Sequence, residues 1–440
     1  MRENNRNSIE KCRKKLPQFT TMNVIDGQAS LVIYASLIFY SLTIDNILNI
    51  IVLLILAGVA IATLTGNNGI LIRTQEAKNK SKQANTDELR KLTQLEAITQ
   101  LEDYEYTDKN GEKVNIPAKC AVSQVEGENT LENGLVIIDI NGNEWVWISV
   151  PENEMPDVLT FEDNEDYNTL KIALKNYTNN YTRLDFIDEW YDVDGNNASE
   201  SSNLEDRLGC GLTNEEYNTL YNKMLKSIYQ NSGFWIGRYE AASTEPRLAS
   251  QELIENVKIQ KEMYPYTFIS CAEAQSLASQ ISSDTQKTSS LLFGIQWDLV
   301  CKFLEVKGLE LDEIKSNSKN WGNYSDSTFS VSNGKYAIHN KSTNNLGEWK
   351  KVTQIYTKMD EGEENSVLFS TGITDRNEKM NIYDLAGNVG EYTLERSTTI
   401  GIPCVTRGGV FRNSGSVAQR GIYRTNNKLS SSISFRITMY

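Results

Sequence analysis

The apolar positions of this chain are concentrated near its start and then scatter into short segments. Residues 27–44 (GQASLVIYASLIFYSLTI) carry no charge, Asp45 interrupts them, and residues 46–72 are again uncharged and include IIVLLILAGVAIATL. About 20 apolar residues suffice to cross a bilayer. Residues 29–66 are therefore predicted to be a hydrophobic membrane segment, with the span at about 47–66. Asp45-Asn46 leaves room for a second topology, a hairpin turning at that point. A cleaved signal peptide is a third, for which the apolar region is too long.

Beyond Gly69 the period changes. Leu89, Leu92, Leu95, Ile98 and Leu101 recur every three residues among charged ones, which predicts a helix over 70–103 and a helical stalk over 67–104. A lone helix with an apolar face needs a partner. The head or a second copy of the chain would serve, so self-assembly through this helix is one expectation and a plain spacer the other.

From residue 105 the chain reads as a head of short strands and few helices, an α+β pattern. GLVIIDINGNEWVWISVP (134–151) predicts two strands joined at Asn141-Gly142, a strong hairpin signal. GFWIGRYEAAS (233–243) predicts a strand. Helices are predicted at 165–176, 213–230, 271–282 and 290–306. Residues 152–232 are acidic and polar and are expected to be an insertion that shapes the binding face.

Charge sets the orientation. Arg2, Arg6, Lys11, Arg13, Lys14 and Lys15 make residues 1–28 a basic segment, which the positive-inside rule places in the cytoplasm with the head outside. Arg73, Lys78, Lys80 and Lys82 follow the apolar run, so charge also permits the hairpin, with the head cytoplasmic. The net charge is −14, and the acidic excess lies after residue 104. Such a surface repels phosphate backbones and argues against nucleic acid as a partner. The six cysteines form no CxxC pair, so a cysteine zinc cluster is not expected and buried free thiols are. Runs such as Glu361–Glu364 read as solvated faces, and His339, in YAIHNKS, reads as a surface loop residue.

Two resemblances sharpen the picture. IIVLLILAGVAIATLTGNNGILIRTQEAKNKSKQA resembles the N-terminal segment of a group of pilin-like surface proteins of Gram-positive gut bacteria. The glycine and glutamate of pilin-type processing have no counterpart near Tyr40, so an anchor is implied and processing is not. Over 140–440 the order of motifs resembles the formylglycine-generating-enzyme-like (sulfatase-modifying factor) branch of the C-type lectin fold. The carriers are GFWIGRYE, the helix 271–282, GIQWDLVCKFL with Trp297, NIYDLAGNVGEYTLE with Gly387, TRGGVF with Arg407, Gly408 and Gly409, and the closing SFRITMY with Phe435 and Arg436. Gly390 and Tyr392 stand where the family has two tryptophans. The implied fold is a C-type-lectin-like head on an N-terminal transmembrane helix and helical stalk.

The resemblance also implies what the head does. The related enzymes use two cysteines five residues apart, and these places fall at about Asn413 and Ala418. A second branch binds iron through three histidines, and this chain has His339 alone. A catalytically empty head is expected. The family's turn motif can hold a structural calcium, which would fall to Asn388 and Glu391, since oxygen-only ligation suits that ion. The alternative is that Glu391 pairs with an arginine such as Arg407 or Arg436. Residues 407–436 are small and polar with a few aromatic anchors, a paratope-like composition. In retroelement-diversified relatives of the fold this region displays variable contact residues. Phe411, Arg412, Asn413, Ser416, Arg420, Ile422, Tyr423, Asn426 and Asn427 are the expected contacts for an extracellular protein or glycan. The reading is a membrane-anchored adhesion or ligand-binding protein of the bacterial cell surface. The alternatives are an oxidoreductase in which Cys404 meets Cys301 or Cys271, and a structural pilin-like subunit.

Overall fold

In the computed structural model, the structure describes residues 70–191, 209–249, 251–282, 285, 287–340, 345–359, 366–425 and 430–440. The basic N-terminus and the hydrophobic segment 29–66 lie outside the described residues, and no helix among the described residues is long and apolar enough to cross a membrane. The chain divides into two compact units, Met1–Ala84 and Asn85–Tyr440. In the first, residues 70–84 are helical.

The second unit begins inside the helix Ile70–Thr99, earlier than the boundary at 105 that composition suggests. Here the expected apolar face is corrected. Leu92, Leu95 and Ile98 are exposed, as is Leu101 beyond the helix, whereas Thr93 and Ala97 are buried. Polar residues fasten this helix. Arg90 bonds Glu128 and Glu144 at 2.7 and 3.1 Å, and the Gln94 amide donates to the Ile140 carbonyl at 2.8 Å. A three-residue period drifts around a helix with 3.6 residues per turn, so these leucines do not share one narrow stripe.

Mixed helix and strand, with few helices, make up the rest. A six-stranded antiparallel sheet runs in the order Ser289–Leu291, Ile437–Met439, Gly233–Gly237, Glu144–Ser149, Val136–Asp139, Cys120–Val122. Its central strands are buried at nearly every position, as their β-branched and aromatic residues suit a sheet covered on both faces. The hairpin at Asn141-Gly142 forms as expected. Gly142 supplies a φ of 77°, and Asp139 accepts from the backbones of Asn141 and Asn143, both at 2.9 Å. A second sheet orders Arg420–Tyr423, Cys404–Arg407, Gly390–Ser397 and Ile433–Phe435, the last pair parallel.

The helices form close to expectation: Asn164–Tyr177, Asn214–Asn231, Cys271–Ala278 and Gly294–Val306. Thr213 with Glu216, and Ser270 with Glu273, close capping boxes that start the second and third. The segment 152–232 packs into the head rather than lying on its surface. Its Leu170, Leu174, Trp190, Tyr217, Met224 and Ile228 are buried in the main core. Its strand Phe186–Ile187 pairs with Gly390–Ser397, and the Trp190 indole donates to the Leu394 carbonyl at 2.8 Å.

Candidate functional site

The turn in NIYDLAGNVGEYTLE is clamped by protein. Gly387 has a φ of +77°, and a Cβ there would lie 2.2 Å from the Asn323 carbonyl oxygen, so only glycine fits. Asn388 is fully buried. Its amide nitrogen donates to Glu240 Oε2 at 2.9 Å, and its oxygen accepts from Asn323 at 3.0 Å and from the Phe369 backbone at 3.1 Å. Glu391 receives Arg436 Nε at 2.8 Å and Nη2 at 2.6 Å. The two residues expected to hold calcium therefore spend their oxygens on protein donors, and the arginine-pairing alternative is the geometry found. Among the described residues no group of three His, Cys, Asp or Glu is placed to hold a metal ion. Arg407 pairs elsewhere, although Glu391 faces it across the strands. Gly408 and Gly409 also take left-handed φ values, +84° and +76°, and Phe435 is buried beside Tyr266.

Arg407 belongs to a buried network with Arg420, Asp298 and Glu395. Arg407 reaches Asp298 at 2.7 Å and Glu395 at 3.2 Å. Arg420 reaches Glu395 at 2.9 Å, Asp298 at 3.1 Å and the Tyr181 carbonyl at 3.1 Å. Asp188 adjoins it and accepts from the backbone N–H groups of Gly294 and Ile295 at 2.7 and 2.9 Å, so it caps the helix Gly294–Val306 from a distant part of the chain. Three carboxyl groups thus face two guanidiniums. Burial, then repulsion from Glu395, pushes the Asp188 carboxyl up to about 7.

Above this network opens a cleft of about 580 Å³, lined by Asn179, Asn180, Tyr181, Thr182, Arg183, Lys315, Ser316, Gly415, Ser416, Ala418, Gln419 and Arg420. One wall is the loop after the helix Asn164–Tyr177, another the end of the short helix Leu311–Lys315, and the third the C-terminal segment. The Ser416 hydroxyl donates to the Lys315 carbonyl at 2.8 Å and the Trp297 indole to the Val417 carbonyl at 3.0 Å, which fixes the third wall.

Among the described residues, the expected contacts do not form one surface. Phe411 is fully buried with Leu368 and Val389, and so belongs to the core. Arg420 is half-buried with its guanidinium committed to ion pairs, and Ser416 is 3% exposed. Arg412 is half-buried, donating to Ser432 Oγ at 2.7 Å and lying 3.3 Å from His339 Nε2. Tyr423 is half-buried, edge-on to Tyr392. Asn413 is exposed and Ile422 is 36% exposed. Asn426 and Asn427 lie outside the described residues, as do Glu361–Glu364. His339 is corrected from surface loop to a residue 4% exposed in the strand Lys335–Asn340. Asn179, Thr182, Lys315, Ser316 and Gln419 were not expected at the site. The run NYTNNYTR (176–183), dense in amide and hydroxyl side chains, is the signal that could have found part of it.

The five described cysteines, Cys120, Cys210, Cys271, Cys301 and Cys404, are free and buried. The Cys271 thiol donates to the Thr393 carbonyl at 3.8 Å, and the neighbouring Cys404 thiol together with burial pushes it well above its ordinary range. Burial pushes Cys301 up to about 12. No family model matches the chain, and no curated protein matches it.

Proposed function

We propose that the chain is a membrane-anchored ligand-binding or adhesion protein of the bacterial cell surface, with a head of the C-type-lectin-like, formylglycine-generating-enzyme type. The observation that carries the reading is the cleft of about 580 Å³, walled by residues 415–420 of the segment whose composition resembles a paratope. Its size suits a small ligand or the tip of a larger one. The buried Arg–carboxylate network beneath gives it a rigid floor, and rigid floors favour binding by lowering the ordering cost. Ala418 lines the cleft where the related enzymes carry a cysteine, and the thiols of Cys271 and Cys404 are fully buried. Burial shields both thiols and, with the neighbouring thiol, raises that of Cys271, so binding is favoured over thiol chemistry.

Protease treatment of intact cells, with mass spectrometry of peptides from 105–440, tests display. Release of head peptides from intact cells is the expected result. Release only after lysis would overturn the surface reading and favour the hairpin topology. Gln419→Trp, which fills the cleft, should abolish attachment of cells that display the chain.

A further inference from the structure

The cleft has a chemical bias that the rest of the chain lacks. No aspartate or glutamate lines it, although the chain carries 58 acidic against 44 basic residues. Three cations border it. Arg420 is neutralised by Asp298 and Glu395, and Arg183 pairs with Asp185 at 2.7 Å in a solvent-exposed bridge. Lys315 is exposed and makes no ion pair among the described residues. Apart from Gly415 and Ala418, the remaining lining carries amide or hydroxyl groups, with Asn179, Thr182, Ser316 and Gln419 among them. Tyr181 is only 2% exposed, with its hydroxyl bonded to Glu305, so it offers no ring face for stacking.

Each feature narrows the ligand. An apolar or aromatic group finds no wall to cover it. A cation meets Lys315. A phosphate dianion carries about two charges where the cleft offers one unpaired cation, whereas a carboxylate carries one, which Lys315 matches as a point charge. Side-chain amides both donate and accept, which is the complement of a hydroxyl. Resting on the binding reading above, we infer that this cleft takes the carboxylate end of a polyhydroxylated ligand, an acidic sugar, with Lys315 on the carboxylate and Asn179, Ser316 and Gln419 on the hydroxyls. Lys315 acts as a compact, hydrated charge, so the interaction is weak and falls with salt.

The test is titration of the purified full-length chain in detergent micelles with N-acetylneuraminic acid and glucuronic acid, against N-acetylglucosamine, galactose and inorganic phosphate. Both acids should bind, and the neutral sugars and phosphate at least about tenfold more weakly, a difference of about 1.4 kcal/mol. Lys315→Glu should lose at least about tenfold for the acids, and Lys315→Gln less. The same change at Lys113, a 61% exposed side chain outside the cleft, should have no effect. Melting temperatures of the variants check that they fold. Equal binding of neutral sugars or phosphate, or acid binding that survives Lys315→Glu, overturns the inference. If wild type binds neither acid while displaying cells still attach in a manner lost in Gln419→Trp, this inference falls and the proposed function stands. If Gln419→Trp attaches normally, both fall.

Discussion

Arg436 holds both carboxylate oxygens of Glu391, at 2.6 and 2.8 Å, with neither side chain open to solvent. The same guanidinium donates to the carbonyls of Gly237 and Tyr383, so it ties the closing strand region to two other parts of the head. Arg436→Met leaves a buried carboxylate unpaired and should cost about 3–5 kcal/mol in urea unfolding. The double variant Arg436→Met/Glu391→Leu removes both charges and should regain much of that loss. A single variant with wild-type stability would mean that the pair is not buried as described.

Three residues of the C-terminal segment separate support from surface. Arg420→Met strips a partner from Asp298 and Glu395 and should destabilise by about 3–5 kcal/mol. Phe411→Ala empties a fully buried site and should cost about 3–5 kcal/mol. Ile422→Ala, at a position 36% exposed, should stay within about 0.5 kcal/mol. Comparable losses at all three would contradict the burial pattern.

Asp188 gives the head a pH signature. The folded chain keeps its proton up to about pH 7, while the unfolded chain releases it near the ordinary aspartate value of about 3.9. Between those limits the native state binds more protons, so stability falls as pH rises through the window and is flat beyond each end. The slope attributable to this group is at most about 1.4 kcal/mol per pH unit. Asp188→Asn should remove it, seen as converging unfolding curves for wild type and variant near pH 4 and diverging ones near pH 7. Parallel curves across the window would show that Asp188 is already ionised.

The thiols should be silent in the native state. Iodoacetamide at pH 8 is expected to modify Cys120, Cys210, Cys271, Cys301 and Cys404 only after denaturation, because all five are buried and the thiolate is the reactive form. Fast labelling of Cys271 or Cys404 in folded protein would revive the oxidoreductase alternative.

The local elements were legible because local physics fixes them. Asn141-Gly142 demands a left-handed turn, and the four head helices carry their own period and, in two cases, their capping boxes. Contacts across long separations were not. Asp188 caps a helix 106 residues away, and nothing in its neighbours announces that role. Phe411 sits in the core and the Arg420 guanidinium in an ion-pair network, because a phenylalanine or an arginine reads the same in sequence whether it faces a ligand or the interior. His339 was misplaced because Asn340 and Ser342 beside it read as loop. The cleft itself needed the polar loop 179–183 to meet residues 415–420, a juxtaposition that no spacing along the chain encodes.

The strand Ile437–Met439 lies between Gly233–Gly237 and Ser289–Leu291, and Ile433–Phe435 runs parallel to Gly390–Ser397. The first sheet therefore lacks an interior strand, and the second its parallel terminal strand, until the ribosome has passed residue 439. Helices and the first hairpin can form during synthesis, but the head must wait in an open, chaperone-accessible form. Closing loops of this length makes its folding slow.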